Sequence, residues 1–177
     1  MHMIFLVGPR AAGKTTVGKA LAAGLHLPFV DTDASLTAFL GREVADSVAQ
    51  EGWPAFRRHE SATLRREIES HASTGAVIAT GGGMVLAPRN RSCMRKAGTV
   101  FCLMARAGVL AARLQAEPLA GQRPSLTGRD VAEEMRHVLQ QRRTCYRKAA
   151  HYTLKATHST EKVCREIMRL LRLRQPA

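Results

Sequence analysis

Near the start of the chain the octapeptide Gly8-Pro9-Arg10-Ala11-Ala12-Gly13-Lys14-Thr15 matches the pattern Gly-x-x-x-x-Gly-Lys-Ser/Thr. It follows the apolar run Ile4-Phe5-Leu6-Val7 and precedes a segment carrying Val17, Leu21 and Leu25 at helical spacing. Strand, glycine-bearing loop and helix in that order constrain the fold more than any other stretch. The glycines let the backbone curl until successive N–H groups point at phosphate oxygens, and the helix N-terminus adds positive potential. Lys14 is then placed for the β- and γ-phosphates of a nucleoside triphosphate, and the Thr15 hydroxyl is a hard oxygen ligand for Mg2+. Residues Gly8, Pro9, Arg10, Ala11, Ala12, Gly13, Lys14, Thr15 and Thr16 are the expected nucleotide site.

The remainder of the chain alternates in kind. Short apolar runs suited to buried strands lie at Met3–Val7, near Phe29–Val30, at Ala76–Ala79, at Thr99–Leu103 and near Tyr152–Leu154. Segments of helical period fall between them at about 14–25, 35–72 (broken near Gly41 and Gly52), 88–96, 106–115, 130–148 and 160–173. Alternating strands and helices predict an α/β fold of three layers, with a mainly parallel sheet between helices. Ligands of such folds collect at the carboxyl ends of the strands. No repeat, low-complexity tract or linker interrupts the 177 residues, so one domain is expected over 1–177. The stretch 115–128 holds Glu-Pro, Gly-Gln-Arg-Pro and Thr-Gly without a sustained period, as a mobile lid would, or a plain connector.

Charge narrows the choice of partners only a little. Lysines and arginines outnumber acids 27 to 14, a formal +13 that attracts polyanions without identifying one. On the last helix Arg165, Arg169 and Arg172 stand opposite Val163, Ile167, Leu170 and Leu171, the pattern of a solvated face. Cys93, Cys102, Cys145 and Cys164 form no CxxC pair, which argues for reduced thiols in a cytoplasmic protein and against zinc. The N-terminus reads as a first strand and not a signal peptide, and no apolar run is long enough to span a membrane.

Acceptor chemistry is carried by four further features. Asp31 and Asp33 close the second strand; in extended geometry both would leave on one side, Asp31 toward a metal and Asp33 toward an acceptor hydroxyl. Asp33 reads equally as a cap for the following helix. Arg57 shares a helix face with Leu64 and Ile68, with Glu60 three residues on, and Arg142 lies in line with Val131 on a face that also bears Met135, Val138 and Leu139. A guanidinium on an apolar stripe is costly unless an anion meets it, and its fork suits a carboxylate, although a surface ion pair or a snorkelling stem would also account for it. Gly81-Gly82-Gly83 after the third strand permits close approach of a ligand to the backbone. Where many phosphate-loop proteins carry an acid on this strand the chain has Thr80, leaving metal binding to Thr15 and Asp31.

Taken together the phosphate loop, Asp31-Thr32-Asp33, Phe56-Arg57 with Glu60, Gly81-Gly82-Gly83, Arg123-Pro124 and Arg142 before Tyr146 resemble the shikimate kinase family, across about residues 3–155. Arg-Pro-Ser-Leu-Thr-Gly at 123–128 is most similar to its type II members. The resemblance implies a fold of the nucleoside monophosphate kinase type with strand order 2-3-1-4-5. It implies ATP and Mg2+, and phosphorylation of the 3-hydroxyl of shikimate on the route to chorismate and aromatic amino acids. By position Asp33 is the base, with Lys14 and Arg123 assisting catalysis. Arg57 and Arg142 clamp the carboxylate, Gly81, Gly82 and Gly83 line the pocket with Glu60 behind, and Trp53 and Phe56 wall it. The helical segment about 33–70 is the acceptor-binding insertion, Arg123 rides on the lid and Arg113 stacks on adenine. A monomer without specific nucleic acid or membrane partners is expected. Ala11 departs from the family's usual glycine, and Cys145 from its usual leucine.

Two other readings stay in view: a kinase for another small hydroxy acid such as gluconate, and a nucleic-acid-binding ATPase suggested by the charge. The first should lack the Asp-Thr-Asp and triple-glycine set. The second predicts ATP hydrolysis stimulated by DNA or RNA, with salt-sensitive binding.

Overall fold

The computed structural model describes residues 3–116 and 130–174. Five strands form one parallel sheet in the order β2-β3-β1-β4-β5: β1 Met3–Val7, β2 Phe29–Asp31, β3 Val77–Ala79, β4 Gly98–Met104 and β5 Tyr152–Lys155. The helices are α1 Lys14–Leu25, α2 Thr32–Leu40, α3 Val44–Ser70, α4 Pro88–Ala97, α5 Ala107–Ala116, α6 Val131–Ala149 and α7 Thr160–Arg174, with a 3-10 turn at Met84–Leu86. Every residue of β1 is buried, as a central strand covered on both faces requires. Ile4 and Leu6 point into one core with Val17 and Leu21 of α1, Leu110 of α5 and Ile167 of α7. Met3, Phe5 and Val7 point into the other, with Leu64 of α3, Met94 of α4 and Tyr146 of α6. The three layers, the parallel sheet and its strand order are therefore as expected.

A third, smaller core joins α2 to α3: Leu36, Val44 and Phe56, flanked by Leu40, Val48 and Trp53. The break expected near Gly41 is the left-handed C-cap of α2 (φ 64), and that near Gly52 is a kink in α3 (φ 77). Both need a conformation that glycine adopts without penalty. Arg42 and His59 both bond to Glu51, so the kink is bridged from each side.

One expected core position is overturned. Val131, placed by spacing on the buried stripe of α6, is 38% exposed at the first position of the helix; Met135 and Val138 are buried as expected. Some of the excess positive charge has a local cause. The last turn of α4 carries Arg95 and Lys96 and that of α6 carries Arg147 and Lys148, where cations offset the negative end of the helix dipole. Arg95 Nη1 also donates to the carbonyl of Ala150 at 2.8 Å, tying the two helix ends together. On α7 Val163 and Ile167 are buried while Arg165, Arg169 and Arg172 face solvent.

Candidate active site

The loop after β1 is shaped by its neighbours as much as by its own residues. Gly8 has φ 146, and a Cβ there would come within 3.3 Å of the Leu103 carbonyl carbon and closer still to its oxygen. Parallel pairing of β1 with β4 brings that backbone in, and only glycine fits. Gly13, at φ 80, is the N-cap of α1. Ala11 also has a positive φ, 58, which explains physically why a glycine is usual there. Lys14 Nζ donates to the Pro9 carbonyl at 2.7 Å, folding the ammonium over the loop.

Thr15 Oγ1 donates to Asp31 Oδ2 at 2.8 Å, and Asp31 Oδ1 accepts from the backbone N–H of Asp33 at 3.0 Å. Asp31 is thus the N-cap of α2, and Asp33 sits in the first turn of that helix. The alternative of Asp33 as the cap is therefore corrected, and so is the extended geometry expected to align the two acids: the strand ends at Asp31. The carboxylates nonetheless line one cavity, because α2 starts directly at the carboxyl end of β2.

Arg57 and Glu60 pair on α3, with Glu60 2% exposed beneath the guanidinium. The Arg57 guanidinium lies 5.0 Å from the Trp53 ring centroid and 5.6 Å from that of Phe56. Phe56 is fully buried, so it backs Arg57 and does not wall a pocket itself. The other side of Arg57 abuts Gly83, where a Cβ would stand 2.6 Å from Nη2. One residue earlier the Gly82 carbonyl accepts from Tyr146 Oη at 2.8 Å and from Arg142 Nη1 at 3.3 Å. The two arginines of α3 and α6 are therefore pinned against consecutive glycines. Gly81 N–H donates to Thr32 Oγ1 at 3.1 Å, fastening the same glycine run to the start of α2. Thr80 lies buried, its hydroxyl donating to the Leu6 carbonyl at 3.3 Å.

Two cavities meet at the phosphate loop. One, of about 530 Å³, is lined by Arg10, Ala11, Lys14, Thr15, Asp31, Asp33, Thr80 and Gly82 and continues along α2 to Glu43 and Val44. The other, of about 410 Å³, is lined by Ala11–Val17, Leu103, Arg113, Ala156, His158, Thr160 and Val163. Ala11, Lys14 and Thr15 border both, so the loop stands between an acceptor side and a nucleotide side. Arg113 Nη2 donates to the Ala156 carbonyl at 2.8 Å and Nη1 to that of Ala11 at 3.2 Å, fixing its plane at the nucleotide cavity. Arg57, Glu60, Gly83 and Arg142 do not line the larger cavity; they stand behind its Gly82 edge. Arg123 and most of the stretch 115–128 lie outside the described residues. Thr32, Tyr146 and Glu43 join the site although spacing alone did not single them out; Tyr146, one turn after Arg142, is the one with a sequence signal.

The shikimate kinase family matches residues 10–172 of the chain. The chain belongs to the shikimate kinase family. A relative named Shikimate kinase 2 in Syntrophotalea carbinolica is 53% identical over 169 residues, and one of the same name in Dickeya chrysanthemi 51% identical over 170; each match covers 96% of both chains. The structure of shikimate kinase from Acinetobacter baumannii in complex with shikimate superposes with a TM-score of 0.89 at 29% identity, covering 100% of this chain and 96% of that one. A gluconokinase from Sinorhizobium meliloti reaches a TM-score of only 0.58 at 18% identity, a likeness of fold alone. The chain is accordingly a kinase with ATP as co-substrate, and the resemblance drawn from the motifs holds.

Proposed function

We propose that the chain transfers the γ-phosphoryl group of ATP to the 3-hydroxyl of shikimate, giving 3-phosphoshikimate and ADP on the route to chorismate and aromatic amino acids. The observation that carries this reading is the pair of guanidiniums held against Gly82 and Gly83, beside a cavity shared by the phosphate loop and Asp33. A small hydroxy acid fits that polarity: carboxylate toward Arg57 and Arg142, reacting hydroxyl toward Asp33.

Phosphoryl transfer passes through a loose transition state, so positioning and charge neutralisation supply most of the catalysis. Asp33 accepts a hydrogen bond from the 3-hydroxyl and takes its proton as the oxygen bonds to the γ-phosphorus and the bond to the ADP oxygen breaks. Lys14 exchanges its bond to the Pro9 carbonyl for the β- and γ-phosphate oxygens. The hydroxyl and carboxylate of Thr15 and Asp31 are hard donors already in contact, a set suited to Mg2+. Among the described residues no group of three or more His, Cys, Asp or Glu could hold a metal, so Mg2+ would draw further oxygens from phosphate and water. When bound it offsets phosphate charge.

Arg113 forms one wall of the adenine site, and Arg123 meets the phosphates on a lid at about 115–128. The segment about 33–70 is the acceptor-binding part of a single domain over 1–177. The enzyme works as a cytoplasmic monomer that needs no nucleic acid or membrane. Among the described residues no helix is long and apolar enough to cross a membrane.

ADP release with shikimate, quinate, gluconate and nucleoside monophosphates in parallel tests the acceptor; turnover of gluconate but not shikimate would reverse the reading. Asp33→Asn should lower kcat at least about a hundredfold, the usual weight of a positioned base, while ATP binding survives. Near-normal turnover by that variant would remove Asp33 from the chemistry.

A further inference from the structure

The turn between α2 and α3 places Glu43 at the N-cap of α3, with extended φ −68 and ψ 156. That position favours Ser, Thr, Asp or Asn, whose short side chains reach the N–H groups of the first turn. Glu43 makes no such capping bond, and it enters none of the salt bridges found among the described residues. Glu43 is exposed and borders the cavity of about 530 Å³, at the end of a strip formed by Asp33, Thr37 and Ala38 of α2. Thr37 stands one turn from Asp33, about 6 Å along the axis, roughly the width of a six-membered ring with its substituents. A helix start thus carries an exposed acid in place of its natural cap where it borders the acceptor side, a local rule broken where a site lies.

We propose that Glu43 binds the acceptor: its carboxylate accepts a hydrogen bond from a ring hydroxyl other than the one phosphorylated, and it repels the acceptor's own carboxylate. The acceptor side then has cations at Arg57 and Arg142, behind the Gly82 edge of the cavity, and carboxylates at Asp33 and Glu43 along it, so a hydroxylated ring acid enters in one orientation. The inference rests on the acceptor proposed above.

Three quantities separate this role from a structural one: KM for shikimate, KM for ATP, and Tm. Glu43→Ser supplies a proper cap, so Tm should rise by about 2–4 °C. The same variant should raise the KM for shikimate about tenfold, the weight of a hydrogen bond to a charged group, and leave that for ATP within about twofold. Glu43→Gln, which keeps size but loses charge, should give a smaller rise in the same direction. Wild-type protein should also discriminate against an analogue lacking the ring hydroxyl farthest from the reacting one, and Glu43→Ser should lose most of that preference. An unchanged KM for shikimate in both variants, or an equal rise for ATP, overturns the inference while leaving the acceptor intact. Failure of wild-type protein to use shikimate at all instead refutes the acceptor, and this inference with it.

Discussion

Gly83→Ala perturbs the proposed acceptor clamp with little else changed. The residue has φ −94 and ψ −9, a conformation open to alanine, so backbone strain is not introduced. The added Cβ would stand 2.6 Å from Arg57 Nη2 and closer to Nη1 and Cζ. Because those atoms end a flexible side chain, the guanidinium moves and the backbone stays. It cannot move far, since Trp53 and Phe56 flank it and Glu60 holds it from below. Losing a buried partner outright costs about 3–5 kcal/mol; a displaced guanidinium that keeps one oxygen of Glu60 should cost about 1–2 kcal/mol of stability. The carboxylate of the acceptor loses a two-pronged contact, worth about 1.5–3 kcal/mol, so the KM for shikimate should rise at least about tenfold at unchanged ATP KM. Gly82→Ala serves as the comparison for Trp53 emission alone: the nearest atoms to its Cβ would be Gly8 O at 3.5 Å, Arg10 N at 3.6 Å and Tyr146 Oη at 3.7 Å, all ordinary contacts and none of them Arg57, although Gly82 itself lines the acceptor cavity. Trp53, the one tryptophan of the chain, reports whether Arg57 has moved before any ligand is added. Altered emission of ligand-free Gly83→Ala, with Gly82→Ala unchanged, is expected. A shikimate KM within twofold of wild type in Gly83→Ala would refute the assignment of Arg57 to the acceptor.

Ala11, at φ 58, should tolerate glycine with stability changed by no more than about 1 kcal/mol, relief of left-handed strain being offset by a freer unfolded chain. Ala11→Val places a β-branched side chain in the same conformation and should lose about 2–3 kcal/mol and weaken ATP binding; thermal melts with and without ATP decide it, and a stable valine variant would mean the loop relaxes. Burial pushes the Cys102 thiol up to about 12 despite the opposing charge of Lys14, whereas Cys93 and Cys145 are half-buried. At pH 8 a thiol reagent followed by mass spectrometry should therefore label those two well before Cys102, and comparable labelling of Cys102 in native protein would contradict the buried β4 environment.

What could be read from the residues, and what could not, divides along the range of the interactions involved. β1 and β4 were legible because strands covered on both faces are apolar nearly throughout, Thr99 excepted, and the phosphate loop because its residues all serve one anion within a single strand–helix turn. The aspartates line one cavity because a helix begins at Thr32, which alternation along a strand cannot reveal. Arg57 and Arg142 announced themselves by sitting among apolar neighbours, but that signal marks a cost without naming what relieves it. Relief comes in part from groups remote in sequence, Gly83 against Arg57 and the Gly82 carbonyl beside Arg142, and in part from the near neighbours Trp53 and Phe56 on α3. Val131 shows the same limit from the opposite side, since helical spacing assigns a face but not how far along the helix that face stays covered. Glu43 is the extreme case, as an acid before a helix reads as ordinary solvated surface and only the cavity along α2 gives it a role. Specificity for the acceptor is therefore the least local property of the chain. The phosphate part of donor binding is encoded in one loop, while the proposed acceptor recognition depends on α2, α3, α6 and the turn after β3 arriving together. Substitutions that shift those elements without touching a ligand should alter the acceptor's KM before that of ATP.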